Sequence, residues 1–220
     1  MKISKETLNT LKNFSDINMS VEVKAGNTLR TVSVQKNILA QAEVETTFPQ
    51  DFAIYEVNRF LGAASLFDDP EFTFGEKSVK IGNDKYSLDY VYCDPHMIVT
   101  PPENNITVPD PEVRFTLTQE NLSQVLKAGN VLGTPEISVE STGSEMVMKA
   151  MDVNNDSSDT FTVNLDGTSD TKFRFVFKIE NFKMVSGEYD VEISSKGIAR
   201  FSRNKLQYWI ATESSSNYGG

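Results

Sequence analysis

The sequence predicts an α+β protein made of two copies of one domain, with helices on one face of antiparallel sheets. Short runs of alternating apolar residues are typical of strands, and other segments show helical periodicity. The order helix, strands, helix, strands begins near residue 1 and begins again at Phe115. Matched points lie about 114 to 122 residues apart, as Ser4 and Thr118 or Val57 and Ile179 do. Because six such matches follow in order, we interpret the chain as a duplication.

The first copy is predicted to open with a helix that Ser4 caps. Glu6 lies in its first turn, where the helix dipole favours an acid, and Leu8, Leu11 and Phe14 form an apolar stripe. Two strands around a turn at 26–27 are expected to follow, in the segment SVEVKAGNTLRTVSV, whose last apolar position is Val34. The remaining predicted elements are a strand at 38–44, a strand passing into a helix at 52–67, and strands at 72–74, 78–81 and 85–92.

The second copy repeats this order from Phe115. Thr118 is the expected helix cap, and Leu122, Val125 and Leu126 supply the stripe. Gly143 marks the turn of a predicted hairpin. A strand at 161–165, a strand passing into a fourth helix at 173–187, and three closing strands up to residue 211 complete the copy.

A proline-rich segment joins the two copies. Residues 92–113 hold five of the eight prolines, together with the only cysteine, Cys93, and the only histidine, His96. Proline removes amide donors and favours extended backbone, so this composition indicates a stiff surface connector. We therefore predict a first domain over 1–93, a connector over 94–113 and a second domain over 114–220, whose residues 214–220 are expected to be flexible.

Composition narrows the possible classes of protein. The sequence contains no run of about 18 apolar residues, and its first residues have no apolar core of a secretory signal, so we expect neither a membrane span nor secretion. A single cysteine is compatible with a reducing cytoplasm. The net charge of −10 should repel nucleic acid on average, so any DNA contact requires a confined positive surface.

The sequence contains no motif that indicates catalysis or a bound cofactor. No phosphate-binding glycine loop, GxSxG, HExxH or CxxC occurs, and Cys93 with His96 supplies too few ligands for a metal. The acidic run at 152–159 lacks the central glycine and closing glutamate of a calcium loop. We therefore predict no catalytic residue, no metal and no cofactor.

Basic residues are expected on the exposed faces of the helices. At 100° per residue, Lys5 and Lys12 share one face of the first helix. Arg59 points away from the buried side of the second helix, and Lys127 opposes the stripe of the third. Lys183 lies beside Phe182 of the fourth and is the least clear case. The alternative, which stays open, is that these are ordinary surface residues.

The repeated pattern resembles the DNA sliding clamps, and most closely those of T4-type bacteriophages, the polymerase processivity factors. The segments that carry the resemblance are MKISKETLNTLKNFSDIN (1–18) and DFAIYEVNRFLGAASLF (51–67), with weaker similarity over 115–133 and 178–193. The resemblance implies a ring of six domains, hence a homotrimer, around duplex DNA that it contacts without sequence preference. It also implies a DNA polymerase and an ATP-driven clamp loader as partners, in the cytoplasm of the infected host cell.

The resemblance also assigns roles to individual residues. It places a group of basic side chains toward DNA: Lys2, Lys5, Lys12, Arg59, Lys127 and Lys183. Clamps bind short peptide tails in an apolar pocket near the connector, and the apolar triplet Met97, Ile98 and Val99, with Ile210, is the candidate wall. The triplet could instead anchor the connector to its own domain, and both readings stay open.

Other functions remain as alternatives. T4-type clamps also act as mobile partners in late transcription, and the resemblance makes this a second candidate role. A β-rich structural protein of a virion is the main alternative, since duplicated domains and acidic surfaces are common there. A small hydrolase that uses acidic residues is disfavoured because no paired constellation of carboxylates is visible.

Overall fold

The structure is a computed structural model that describes residues 1–219. The chain divides into two compact units, an N-terminal unit of Met1–Asn104 and a C-terminal unit that begins at Asn105. Both units combine a few helices with antiparallel strands, so the predicted α+β class is confirmed. No helix among the described residues has the length and apolar character that crossing a membrane requires.

The N-terminal unit begins with helix α1, Lys5–Ile17. The side chain of Ser4 accepts a hydrogen bond from the amide of Thr7, as the predicted cap requires. Leu11 and Phe14 are buried, whereas Leu8 is only half-buried at the edge of the stripe. Helix α2, Val57–Ala64, has no side-chain cap bond.

Seven strands complete the N-terminal unit: β1 Val21–Val23, β2 Gly26–Val32, β3 Ile38–Phe48, β4 Phe52–Ile54, β5 Glu71–Phe74, β6 Ser78–Gly82 and β7 Ser87–Val91. β1 pairs with β4, β2 with β3, and β5, β6 and β7 form a three-stranded sheet in that order. The strand predicted at 38–44 continues to Phe48, and the strand-to-helix segment is confirmed by β4 and α2.

The predicted hairpin around Gly26 is wrong in one respect. β1 pairs with β4 instead of β2, whereas β2, which begins at Gly26 with φ of +115°, pairs with β3. Val34, which closed the predicted apolar run, lies in the turn after β2 with 68% of its surface exposed. Alternation in the sequence located these strands but did not identify their partners.

The C-terminal unit contains helix α3, Gln119–Leu132, and nine strands. The strands are β8 Val113–Leu117, β9 Glu136–Thr142, β10 Glu145–Met151, β11 Phe161–Thr168, β12 Lys172–Lys178, β13 Tyr189–Ser194, β14 Ile198–Arg203, β15 Leu206–Ala211 and β16 Asn217–Tyr218. The side chain of Thr118 caps α3 by accepting from the amide of Asn121. One sheet has the order β11-β10-β9-β12-β16, and β15, β14, β13 and β8 neighbour one another in the other.

Strand pairing repeats between the two units and supports the predicted duplication. β9 pairs with β12 as β1 does with β4, and β10 pairs with β11 as β2 does with β3. β13, β14 and β15 follow one another as β5, β6 and β7 do. The predicted hairpin at Gly143 is present between β9 and β10, with φ of +96° at the glycine.

The predicted fourth helix is wrong. Only one 3₁₀ turn, Ile179–Asn181, follows β12. Phe182 leaves the helical region, with φ −80° and ψ 55°, and its ring packs between Phe177 and Phe201 at 5.7 Å from each. The backbone of Val185 bonds to tyrosine side chains, its amide donating to Tyr208 and its carbonyl accepting from Tyr189. The packing of Phe182 in the core and these hydrogen bonds take the place of the backbone hydrogen bonds of a helix.

The tail that was predicted to be flexible, residues 214–220, contains a short strand. Residues 217–218 form β16 along β12, and the ring of Tyr218 stacks on Phe173 and Phe175. The amide of Gly219 donates to the carbonyl of Lys172 at 2.9 Å. Gly220, the remaining residue of that prediction, lies outside the described part of the chain.

Candidate nucleic-acid interface

The three helices carry far less acid than the rest of the chain. α1 holds two lysines and two acids, α2 one arginine and no acid, and α3 one lysine and one glutamate. The helices therefore sum to +1, while the whole chain has a net charge of −10. The acid excess thus lies in strands, turns and the connector, which leaves the helix faces as the least repulsive surface for phosphate.

One face of α1 carries the two lysines that the sequence singled out. Lys5 and Lys12 are seven residues apart and exposed, with Asn9 between them on the same face. Asp16 continues this stripe by one more turn and is also exposed. The carboxylate of Asp16, which was not among the predicted features of this face, reduces the positive potential at that end of the helix.

Asn58 connects the two helices of the N-terminal unit. Its Oδ1 accepts from Lys12 Nζ at 2.8 Å and from Ser15 Oγ at 3.0 Å. The next residue, Arg59, is exposed on α2. The structure thus brings Lys12 and Arg59, 47 residues apart in sequence, to adjoining helix surfaces. Periodicity placed each on its own helix but could not identify this connection.

Lys127 lies on the exposed face of α3, opposite the buried Leu122 and Val125. Among residues 1–219, Lys5, Arg59 and Lys127 have no carboxylate within 4.0 Å, so their charges are not neutralised by an ion pair. These cations are therefore available to a ligand.

Lys2 and Lys183 differ from the other predicted contacts. Lys2 donates to Asp69, and this hydrogen bond is the main reason why the pKa of Lys2 lies above its usual value. Its charge is therefore partly compensated within the protein. Lys183 is exposed but follows the 3₁₀ turn instead of lying on a helix, because the predicted fourth helix does not form.

The connector is attached to the N-terminal unit by two side chains. Asn18 Nδ2 donates to the carbonyl of Val99 at 3.2 Å, and Arg30 Nη1 donates to that of Pro102 at 2.7 Å. Arg30 Nη2 also reaches the carbonyl of Asn104 at 3.3 Å. Desolvation lowers the pKa of Arg30. Neither side chain could be identified from the sequence, since no local pattern indicates acceptors more than 70 residues away.

The three residues of the connector's apolar triplet differ in their exposure to solvent. Met97 is 68% exposed, at the end of a 3₁₀ turn spanning Pro95–Met97, while Ile98 and Val99 are half-buried. A groove of ≈ 650 Å³ lies between the β1–β2 turn and other residues of the connector, and Met97, Ile98 and Val99 are not part of its lining. Its lining includes Lys24, Arg30, His96 and Pro101.

Ile210 does not fit the predicted pocket wall. It lies in β15 with 0% of its surface exposed, opposite Ala199 of β14. A fully buried side chain offers no surface to a peptide. The apolar character of Ile210 reflects its place in the core of the C-terminal unit.

Among the described residues, Cys93 and His96 do not form a metal site with other side chains. The amide of Cys93 donates to the carbonyl of Ala53, and burial raises the pKa of its thiol. The amide of His96 donates to the carboxylate of Asp94 at 2.9 Å. Over residues 1–219, no group of three or more His, Cys, Asp or Glu side chains is placed to hold a metal ion.

Two family models match this chain, one in each unit. Residues 4–99 match the DNA polymerase processivity factor family, and residues 114–214 match the gp45 sliding clamp, C terminal. The sliding clamp of Vibrio phage KVP40 is 36% identical over 97% of this chain and 99% of its own length. The sliding clamp of Enterobacteria phage T4 is 30% identical over 99% of each chain.

Solved structures share the fold at low sequence identity. A PCNA of A. fulgidus, solved with the C-terminal region of FEN-1, superimposes with a TM-score of 0.69 at 12% identity, over 96% of both chains. A Helicobacter pylori beta clamp has a TM-score of 0.72 at 12% identity. That match covers 97% of this chain and 65% of the bacterial one, so this chain spans about two thirds of the bacterial length.

Proposed function

The chain belongs to the sliding clamps of T4-like phages, the DNA polymerase processivity factors, and on that basis we propose that three copies close into a ring around duplex DNA. The ring holds the replicative DNA polymerase on its template. The distribution of charge is the observation that carries the proposal: three helices sum to +1 in a chain of −10. A lining of this kind attracts phosphate weakly and without sequence preference, as sliding requires.

The DNA contacts in this proposal come from the helix faces. Lys5, Lys12, Arg59 and Lys127 are the main candidates, because all four are exposed on α1, α2 or α3. Lys2 contributes less since Asp69 compensates its charge. Lys183 contributes from an irregular segment. Because few cations are involved, retention on DNA depends on ring closure more than on phosphate contacts.

Ring closure is assigned to the free edges of two sheets. β7 pairs only with β6, and β11 only with β10, among the described residues. An unpaired strand edge is a template for another strand. We assign the subunit boundary to β7 of one chain and β11 of the next, a head-to-tail contact that closes after three chains. The domain boundaries 1–93, 94–113 and 114–220 are part of this proposal.

Partner proteins are assigned to the connector surface. The PCNA of A. fulgidus was solved with the C-terminal region of FEN-1, and a Helicobacter pylori clamp with a DNA ligase peptide. By analogy, the exposed Met97 and the half-buried Ile98 and Val99 receive peptide tails of the DNA polymerase and other partners. We propose an ATP-driven loader, since a closed ring cannot thread onto circular DNA, and action inside the infected host cell.

A role in late transcription is a second candidate that the similarity to the T4 clamp favours. It requires only that a transcription partner bind the same connector surface. We assign no catalytic residue and no cofactor. The virion-protein alternative is set aside, because the matched family models and the curated relatives are processivity factors and clamps.

The first test is the native mass measured by light scattering over a dilution series. Three chains of 24.6 kDa give about 74 kDa. A trimer at micromolar concentration supports the ring, whereas a monomer at every concentration removes it. Retention should then be compared on nicked circular DNA and on the same DNA after linearisation, in the presence of loader. A clamp survives gel filtration on the circle and is lost from the linear form.

A charge-reversal pair tests the lining. Lys127→Glu, on α3, should weaken DNA retention and lower the salt dependence by about one phosphate contact. Lys36→Glu is the matched control, since Lys36 is an exposed lysine in the β2–β3 turn, outside the helices. Equal losses from both variants would remove the helix lining from the proposal while leaving the ring intact.

A further inference from the structure

Among the described residues, the outer edge of β12 is covered by residues 213–219. In the sheet order β11-β10-β9-β12-β16, β12 would be the terminal strand without β16. The amide of Glu213 donates to the carbonyl of Val176 at 2.7 Å, and the Val176 amide donates to Ser216 Oγ at 2.9 Å. The Gly219 amide donates to the carbonyl of Lys172 at 2.9 Å. Residues 213–219, which we call the tail, thus form hydrogen bonds with backbone groups along this edge.

The tail is attached much less firmly than the inner strand. β12 and β9 share seven register positions, from Lys172 to Lys178, whereas β12 and β16 share two. Ser214, Ser215 and Asn217 are exposed. Segments with few buried contacts open at a small fraction of the global unfolding free energy. The tail should therefore dissociate from β12 while the rest of the unit stays folded.

The aromatic rings of Phe173 and Phe175 lie beneath the tail. The Tyr218 ring is stacked on Phe173 and on Phe175, with ring centroids 6.2 Å apart and interplanar angles of 23° and 25°. Phe173 and Phe175 are 3% and 1% exposed. Departure of the tail removes the ring that stacks on them and leaves an unpaired strand edge beside an aromatic surface. Such an edge readily accepts another extended segment.

The basic side chain of Lys178 lies near Glu213, at the other end of the tail. Lys178 donates to Glu136, and this bond is the main cause that raises its pKa. Glu213 also lies close enough to Lys178 to raise that pKa by its charge. The tail therefore presents an acid near Lys178 and, five residues later, an aromatic ring above Phe173. Small polar residues fill the positions between them.

We propose that the β12 edge is a second peptide-binding site, which the tail occupies in cis. Its ligand is an extended peptide that carries an acidic residue five positions before a tyrosine or phenylalanine. The peptide adds a strand to β12 by main-chain hydrogen bonds, and its aromatic ring takes the place of Tyr218. The tail competes with it at high local concentration, so the site is open only to partners that displace it. This inference does not depend on ring closure.

The test uses the full chain with an opened tail and a synthetic peptide as the probe. Asn217→Pro removes the backbone donor that faces Arg174 in the β12–β16 register, and Tyr218→Ala removes the ring. The probe is a fluorescently labelled peptide of residues 213–220, with a second version in which its tyrosine is alanine. Anisotropy is measured with the wild-type chain and with the doubly substituted chain. Far-UV circular dichroism and the fluorescence of Trp209 report whether the variant remains folded.

We expect the opened chain to bind the tyrosine peptide at least about tenfold more tightly than the wild-type chain does, since the cis tail competes only in the latter. The alanine peptide should bind on the order of tenfold more weakly, because it lacks the ring contact. A phenylalanine version should match tyrosine. If the folded, opened chain binds neither peptide, or binds both equally, the β12 edge is not a peptide site and the tail is only structural.

A second measurement keeps the proposal testable if the opened chain does not fold. Hydrogen exchange of a fragment covering β12 is compared between wild type and Tyr218→Ala, with Tyr86→Ala as control, because Tyr86 is 71% exposed in the N-terminal unit. Faster exchange of β12 in Tyr218→Ala alone supports a tail that opens locally. Unchanged exchange in both variants contradicts it.

Discussion

Gly82 is the position where a single methyl group should disturb the fold most directly. It ends β6, opposite Ser87 of β7 and Glu71 of β5. A Cβ atom at this site would lie 2.4 Å from the carbonyl oxygen of Tyr86 and 2.7 Å from the Cα atom of Ser87. Both contacts involve backbone atoms, so no side-chain rotation relieves them. Gly82→Ala must therefore push β7 away from β6.

The size of this effect follows from comparable substitutions in well-packed sites. Overpacking costs about 1–3 kcal/mol, and we expect a loss of ~2 kcal/mol because the clash falls on backbone atoms. For a unit of about 100 residues, this loss lowers Tm by roughly 10 °C. Because β7 is also the proposed subunit edge, the trimer should dissociate at higher protein concentration than that of the wild type.

Gly62→Ala is the matched control in the same unit. Gly62 lies on the exposed side of α2, and a Cβ atom there meets nothing within 4 Å. Alanine is the better helix former by about 1 kcal/mol, so this variant should be slightly more stable than wild type. Thermal unfolding by circular dichroism and native mass by light scattering measure both variants. If Gly82→Ala unfolds at the wild-type temperature, or both variants shift in the same direction, the steric argument is wrong.

Three further predictions concern the C-terminal unit. Burial by itself raises the pKa of Glu140, but hydrogen bonds from Lys149 and Ser138 and nearby cations hold it below its ordinary value of 4.5. The stability that the Glu140 carboxylate contributes is therefore present above its ordinary pKa and is lost as pH falls through the lower pKa of the folded state. In Glu140→Gln, the free energy of unfolding should therefore decrease less as the pH falls than it does in the wild type. Thr118→Ala removes the cap of α3 and should cost about 1 kcal/mol in urea unfolding, whereas Ser123→Ala, on the exposed face of the helix, should stay within about 0.5 kcal/mol. Phe182→Ala should cost about 3 kcal/mol in the same assay, because its buried ring contacts two other phenylalanines, and an unchanged midpoint would contradict the account of the missing helix.

Local signals predicted well the features whose partners are local. The caps at Ser4 and Thr118 bond to amides three residues away, and both helices begin where the sequence placed them. The turn at Gly143 needs a positive φ, which glycine adopts without strain. The duplication was visible because the same local signals recur at a nearly constant offset, and the two units share their strand pairing.

The same local signals failed where tertiary packing overruled them. A helix was predicted after the strand in residues 173–187, yet Phe182 is held between Phe177 and Phe201, and the backbone of Val185 bonds to tyrosine side chains. The polar sequence of the tail does not indicate a strand, yet residues 217–218 pair with β12 and the ring of Tyr218 stacks on two phenylalanines. In both segments, an aromatic ring packs against phenylalanines of β12, and the ring of Phe182 also packs against Phe201 of β14.

The sequence by itself determined the α+β class, the two copies, the proline-rich connector and the basic residues of the helix faces, because periodicity, caps and composition act over a few residues. Only the tertiary structure decided which strands pair, which cations are compensated and how the connector is attached. Arg30 reaches a carbonyl 72 residues away, and Asn18 one that is 81 residues away. Contacts at such separations depend on how the whole chain closes on itself, and no local pattern records them.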